Sequence, residues 1–215
     1  MRIDVFTLVP HAFAWLTEQR PVSAVLGTSL ELRLFNYRES TPLRAGQVDD
    51  EPYGGGAGMV LRVDVVAAAL EAVYGDTLPK RVIALSPQGR PLTQAVVEEL
   101  AAEDELTLLS ARFEGFDERI VSHLATEAIS IGPYVLSNGD LPAMVVLDAI
   151  ARRLPGALAE GSGELESFSE ELGGGLEYPH YTRPPEFRGW TVPEVLLSGD
   201  HGKIESWRRS MVTHA

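Results

Sequence analysis

Ile129-Ser130-Ile131-Gly132-Pro133-Tyr134-Val135-Leu136-Ser137-Asn138-Gly139-Asp140-Leu141-Pro142-Ala143-Met144 reads as a short apolar strand running into a glycine- and proline-punctuated loop and then a helix. A loop this dense in turn residues leaves backbone N–H and C=O groups that neither strand nor helix consumes, so a small molecule lying across it can be held by main-chain hydrogen bonds. Tyr134, Leu136 and Leu141 supply apolar walls, while Gly132 and Gly139, lacking side chains, admit a close approach. Taken alone, the same residues make an ordinary strand-turn-helix connection. The surrounding sequence decides between the two.

The pattern occurs twice more, upstream. Arg81-Val82-Ile83-Ala84-Leu85 is a short buried strand that stops at Ser86-Pro87-Gln88-Gly89-Arg90-Pro91, before a helix over 92–103. Leu106-Thr107-Leu108-Leu109 is another, broken at residues 110–119 before a helical stretch over 120–124. Ala128 to Ile131 as strand and Leu141 to Leu154 as helix complete the series. Strands alternating with helices predict an α/β domain with a mainly parallel sheet, whose ligands bind beyond the carboxyl ends of the strands. All three turn-rich loops lie at those ends and are expected to converge on one pocket.

Towards the N-terminus, Arg2 to Leu8 alternates as a strand and Pro10 opens a helix. Leu30 to Phe35 is a second strand, and the polar stretch Asn36 to Glu51 reads as a long surface loop. Val63 to Tyr74 places Val65, Val66, Ala69, Leu70 and Val73 on one helical stripe facing a core. Between them, Gly54-Gly55-Gly56-Ala57-Gly58 resembles a phosphate cradle, but no Lys-Ser or Lys-Thr pair follows, so the P-loop reading fails. Glu160 to Glu177 holds six glutamates and no basic residue, the composition of a mobile linker. A small C-terminal unit closes the chain with a helix over 202–211, for which Asp200 is the expected cap.

Composition narrows the function. A chain of 215 residues that is 45% hydrophobic can bury one substantial domain plus an appendage. No apolar run approaches the roughly 20 residues of a membrane span, and the first residues are strand-like, not a leader, so a cytoplasmic address is expected. The absence of cysteine excludes disulfides, thiolate metal sites and a thiol nucleophile. A net charge of −13, with arginines scattered singly or in pairs, does not advertise a nucleic-acid partner, although a local arginine face can form on an acidic protein. The histidines show no metal-ligand spacing.

A resemblance adds to this reading. Asp49-Asp50-Glu51-Pro52-Tyr53-Gly54-Gly55-Gly56-Ala57-Gly58-Met59, Leu85 to Gly89, Arg112 to Arg119, Ser130-Ile131-Gly132, Leu141 to Met144, Pro179-His180-Tyr181-Thr182-Arg183-Pro184 and Val195 to His201 occur in the order found in TrmD, the bacterial tRNA (guanine-N1)-methyltransferase family of the SPOUT class. The resemblance covers nearly the whole chain. It implies a deep trefoil-knotted α/β domain over 1–158 that binds S-adenosyl-L-methionine in a bent form, an acidic flexible linker over 159–177 and a short C-terminal unit over 178–215. It also implies a homodimer with active sites between subunits, and methyl transfer to N1 of the guanine at position 37 of tRNA, assisted by magnesium (Mg2+).

By position, the implied cofactor loops are Ser86, Pro87, Gln88 and Gly89; Ala111, Glu114 and Gly115; and Ile131, Gly132, Tyr134, Leu136, Asn138, Gly139 and Leu141. Glu166, before Ser167-Phe168, stands where the family has its catalytic aspartate; Arg152 matches the arginine that meets substrate and cofactor, and Glu114 the carboxylate associated with magnesium. Without the resemblance these three are a linker charge, a surface helix residue and a turn residue. The departures are Ala111, Phe113, Pro133, the Asn138-Gly139-Asp140 segment in place of Gly-Gly-Glu, and a chain that stops shortly after Ser206-Trp207-Arg208-Arg209-Ser210, where the family continues through a basic helical tail. Two acceptors therefore stay open: tRNA, with Arg183, Arg188, Arg208 and Arg209 as the contact face, or a small heteroaromatic molecule.

Overall fold

A computed structural model describes residues 1–159 and 165–214. The chain divides into two compact units, Met1–Ala157 and Leu158–Ala215.

The first unit opens with β1 (Arg2–Thr7), a 3-10 turn at Pro10–Phe13, α1 (Ala14–Glu18), α2 (Val22–Val25) and β2 (Glu31–Asn36). It continues through α3 (Tyr37–Ser40), the short antiparallel pair β3 (Asp49–Asp50) and β4 (Val60–Leu61), and α4 (Val63–Tyr74). Then come β5 (Val82–Pro91), α5 (Gln94–Ala101), β6 (Glu105–Leu109), a π-turn at Ile120–Leu124, β7 (Glu127–Ser130) and α6 (Asp140–Ala151). The strands form one parallel five-stranded sheet in the order β2-β1-β6-β5-β7. The α/β class and the parallel sheet flanked by helices read from the sequence are therefore present.

Alternation along the strands sends successive side chains to opposite faces. On the α4 face, Asp4 and Thr107 meet the Tyr74 hydroxyl at 2.6 and 2.7 Å, and Phe6 stacks on Phe35 with ring centroids 4.9 Å apart. On the α6 face, the hydroxyls of Thr7 and Ser110 both donate to Asp140 Oδ1. Both faces are covered, which is why β1 is buried along nearly its whole length.

Two segments depart from the sequence reading. The expected surface loop Asn36 to Glu51 is anchored: Tyr37 and Val48 are fully buried beside Leu61, Val65 and Leu70, and α3 packs on α4. Its polar majority masks two apolar anchors eleven residues apart. The strand expected to end at Leu85 extends to Pro91. It pairs Leu85 with Ile129, bulges out over residues 86–89, and pairs Arg90 with the same Ile129 before Pro91 meets Ser130.

In the second unit, residues 160–164 of the expected mobile linker lie outside the described residues. Residues 165–177 form turns and a 3-10 turn at Glu170–Leu172, with the Phe168 N–H donating to Gly175 O at 2.7 Å and Leu176 bridging Thr213. A hairpin of β8 (Glu186–Phe187) and β9 (Trp190–Thr191) precedes α7 (Glu194–Leu197) and α8 (His201–Ser210). The Asp200 side chain caps α8 by accepting the Lys203 N–H at 3.2 Å, as expected. Among the described residues no helix is long and apolar enough to cross a membrane.

Candidate functional site

The three strand-end loops meet. They line a cavity of about 400 Å³ in the first unit, within the range of small-ligand sites. Ser86, Pro87 and Gln88 come from the bulge in β5, Ala111, Glu114 and Gly115 from the loop after β6, and Ile131, Gly132, Tyr134, Leu136, Asn138 and Gly139 from the loop after β7. Two of the expected cofactor contacts lie outside the lining. Leu141, in the first turn of α6, is 55% exposed and Pro142 borders the cavity in its place. Gly89 is pressed against the backbone of β7, where a Cβ would stand 2.5 Å from Ala128 C.

Backbone geometry holds the loops in place. The Gly139 N–H donates to Ala111 O at 2.7 Å, and a Cβ on Gly139 would lie 2.9 Å from Ala111 N, so the second and third loops touch main chain to main chain. Ser130 Oγ accepts the Gly132 N–H at 3.2 Å, and the Tyr134 hydroxyl folds back to donate to Ile131 O at 3.2 Å. The second loop is zipped to the segment before α4, with the Glu114 N–H on Met59 O at 2.9 Å and the Leu61 N–H on Gly115 O at 3.0 Å. Consequently Gly58 passes beside Glu114: a Cβ there would be 2.7 Å from Glu114 Cδ. One glycine of the cluster set aside as a phosphate cradle, Gly58, thus gives room to a cavity-lining carboxylate.

Phe113 lines the cavity with φ at +60°, a left-handed conformation that costs a bulky residue of order 1–3 kcal/mol. Sequence reasoning gave Arg112 and Phe113 no role of their own within the second loop and passed over Phe116 and Pro142. The signal for Arg112 is charge: the loops hold three arginines, of which Arg90 pairs with Glu99 and Glu127 and Arg119 with Asp117, leaving Arg112 as the cation on the lining. Glu114 and Glu118 are the carboxylates there. Behind the lining, burial and the Asp140 carboxylate push the Tyr37 hydroxyl well above the ordinary phenol range, so it stays neutral.

Arg152 is not on the cavity lining. Arg152 follows the last turn of α6, its N–H on Asp148 O at 3.1 Å, about 18 Å along the helix from Asp140 by helical rise. Burial raises the Asp148 carboxyl above its usual range and the Arg152 charge partly opposes that shift. Glu166 belongs to the second unit, where its carbonyl accepts the Ser169 N–H at 3.0 Å. Of the arginines expected to face tRNA, Arg188 lies over the Phe187 ring at 5.0 Å, Arg208 over Tyr178 at 4.9 Å, and Arg209 pairs with Glu205. Among the described residues no group of three His, Asp or Glu side chains is placed to hold a metal ion.

Against known proteins, the sequence model of the family described as tRNA (Guanine-1)-methyltransferase TrmD matches residues 1–214. A Brevibacillus brevis protein named tRNA (guanine-N(1)-)-methyltransferase is 50% identical over 214 residues, covering 97% of this chain and 85% of that relative. Proteins of the same name from Dehalococcoides mccartyi and Gloeobacter violaceus are 49% and 47% identical, each over 97% of this chain and over 84% and 92% of their own lengths.

Proposed function

We propose, from the premise that the chain belongs to the tRNA (guanine-1)-methyltransferase TrmD family, that it methylates N1 of the guanine at position 37 of tRNA, with S-adenosyl-L-methionine as donor. The observation that carries the reading is the meeting of three strand-end loops on one cavity, in a chain half identical to enzymes of that name. The relatives' names favour tRNA over a small heteroaromatic acceptor. The deep trefoil knot of the family is part of the proposal, as is the division into a catalytic domain, a linker and a C-terminal unit.

The residues present fit such a donor. The glycines let main chain approach a ligand, and the apolar side chains of Leu136, Phe113 and Pro142 border the cavity. A sulfonium methyl, when the donor is bound, is already activated for transfer. The protein must then align the acceptor nitrogen with it and take the proton from guanine N1 as the N–C bond forms and the S–C bond breaks. We assign proton removal to Glu166 and the orientation of guanine to Arg152. Arg152 lies outside the cavity lining of its own unit, which supports a homodimer in which a second copy completes the site. Glu114 and Glu118 are the carboxylates of the lining that would hold a magnesium ion, and no step is routed through it.

The test is transfer of labelled methyl to unmodified tRNA carrying guanine at position 37, against the same tRNA carrying adenine there. Methylation of the guanine form alone is expected. No transfer to it, with transfer to small heteroaromatic acceptors, overturns the assignment.

A further inference from the structure

Asp140 is 3% exposed and carries more hydrogen-bonding capacity than the protein satisfies. Its Oδ1 accepts from Thr7 Oγ1 at 2.5 Å and Ser110 Oγ at 2.7 Å, tying the ends of β1 and β6 to the start of α6. Its Oδ2 is buried without a hydrogen-bond partner, and so is Arg112 Nε, 3.8 Å away. The two orphans face each other across the second and third cavity loops, at a distance that orients the guanidinium by charge without a direct hydrogen bond. Asp140 is the one ion-pair partner of Arg112 among the described residues, and the arginine's terminal nitrogens make no hydrogen bond among them. With its side chain 38% exposed and on the cavity lining, Arg112 presents an unspent planar donor fork to whatever occupies the cavity.

A buried carboxylate that aims an arginine into a pocket, while leaving its outer nitrogens empty, is the arrangement suited to a ligand carboxylate. We propose that Arg112 binds the amino-acid carboxylate of the methyl donor and that Asp140 is the residue that positions it. The inference rests on the S-adenosyl-L-methionine reading above and adds the location of the donor's charged tail within the site. Glu114 and Glu118, exposed on the same lining, complement the positive amino group of that tail.

The experiment is a ligand-by-variant cycle in the full chain, read by calorimetry. S-adenosylhomocysteine carries the carboxylate; 5′-methylthioadenosine keeps the nucleoside and sulfur but lacks the amino-acid tail. Arg112→Gln is expected to weaken S-adenosylhomocysteine about tenfold or more and to leave methylthioadenosine within about twofold of wild type, the loss of one charge-assisted contact. Arg112→Lys should recover part of the loss. Asp140→Asn should show the same selective pattern at smaller size. Equal weakening of both ligands would make Arg112 a loop scaffold and overturn the proposal. Unchanged affinity for both, with a raised KM for tRNA, would assign Arg112 to an RNA phosphate and overturn it too. If Asp140→Asn loses both ligands, the positioning role fails. Failure of wild type to bind either ligand would instead sink the methyl-donor reading itself.

Discussion

The Cα of Gly89 lies against the main chain of Ile129, so that a Cβ at position 89 would stand 2.5 Å from Ala128 C and closer still to Ile129 N. At this point β5 rejoins β7 after its bulge, and Ser86 to Gln88 reach the cavity because the chain returns here. The obstruction is backbone, which cannot rotate away. Gly89→Ala is therefore expected to cost about 1–3 kcal/mol of stability, the usual range for overpacking, and to weaken S-adenosylhomocysteine binding. Urea denaturation and calorimetry check the two effects; a variant with unchanged stability would show that β5 can shift at no cost.

Asp4, 1% exposed, receives the Arg33 guanidinium through two hydrogen bonds of 2.7 and 2.6 Å and the Tyr74 hydroxyl at 2.6 Å. Removing Arg33 leaves a buried carboxylate with Arg2 Nε at 3.6 Å as its remaining cation. Arg33→Ala is expected to cost roughly 2–4 kcal/mol, less than a fully buried pair because Arg33 is partly exposed. Tyr74→Phe should cost about 1 kcal/mol. Chemical denaturation of the single and double variants measures both, and the energies should not add because the groups share Asp4.

Glu99 is held by Arg90 and Arg81, which lower its carboxyl from the usual range to about 2. Folding thus favours the ionised form. Its contribution is complete above the unfolded-state value near 4.5 and is lost as pH falls from there toward about 2. Stability measured from pH 6 down to pH 2 should fall less steeply in Glu99→Gln than in wild type. Parallel curves would mean that the two arginines bind Glu99 no better than water does.

Glu166→Gln keeps the shape of the proposed proton acceptor and removes its basicity. The expected result is a loss of methyl transfer of roughly 10²–10⁴-fold, with affinity for S-adenosylhomocysteine unchanged. Mixing Glu166→Gln subunits with Gly139→Ala subunits, in which a Cβ would press the third cavity loop against Ser110 and Ala111, should restore part of the activity if one active site draws on two copies. Mixtures as inactive as their components would place Glu166 and the cavity in the same subunit's service or rule out its role.

The short strands, the helix Val63–Tyr74 and the three cavity loops were legible because each is written locally. A buried parallel strand is a brief apolar run, and Ser, Pro and Gly stop it at a definite residue. Tyr37 was not legible, since one aromatic in a polar stretch carries no period, and its burial against Leu61 and Leu70 is a matter of what arrives beside it. The extension of β5 was also hidden: Arg90-Pro91 reads as loop chemistry, and it pairs because β7 lies alongside.

By itself, the sequence determined the α/β class, the parallel sheet and which three loops line the cavity, because side-chain period and turn chemistry act over a few residues. Only the tertiary structure decided that Arg90 and Arg119 are spent on carboxylates while Arg112 lines the cavity from beside Asp140, and that Gly89 packs on the main chain of β7 outside the cavity lining. Those outcomes depend on partners brought together from distant parts of the chain, and a charge or a missing Cβ acquires its meaning from the atom placed opposite it.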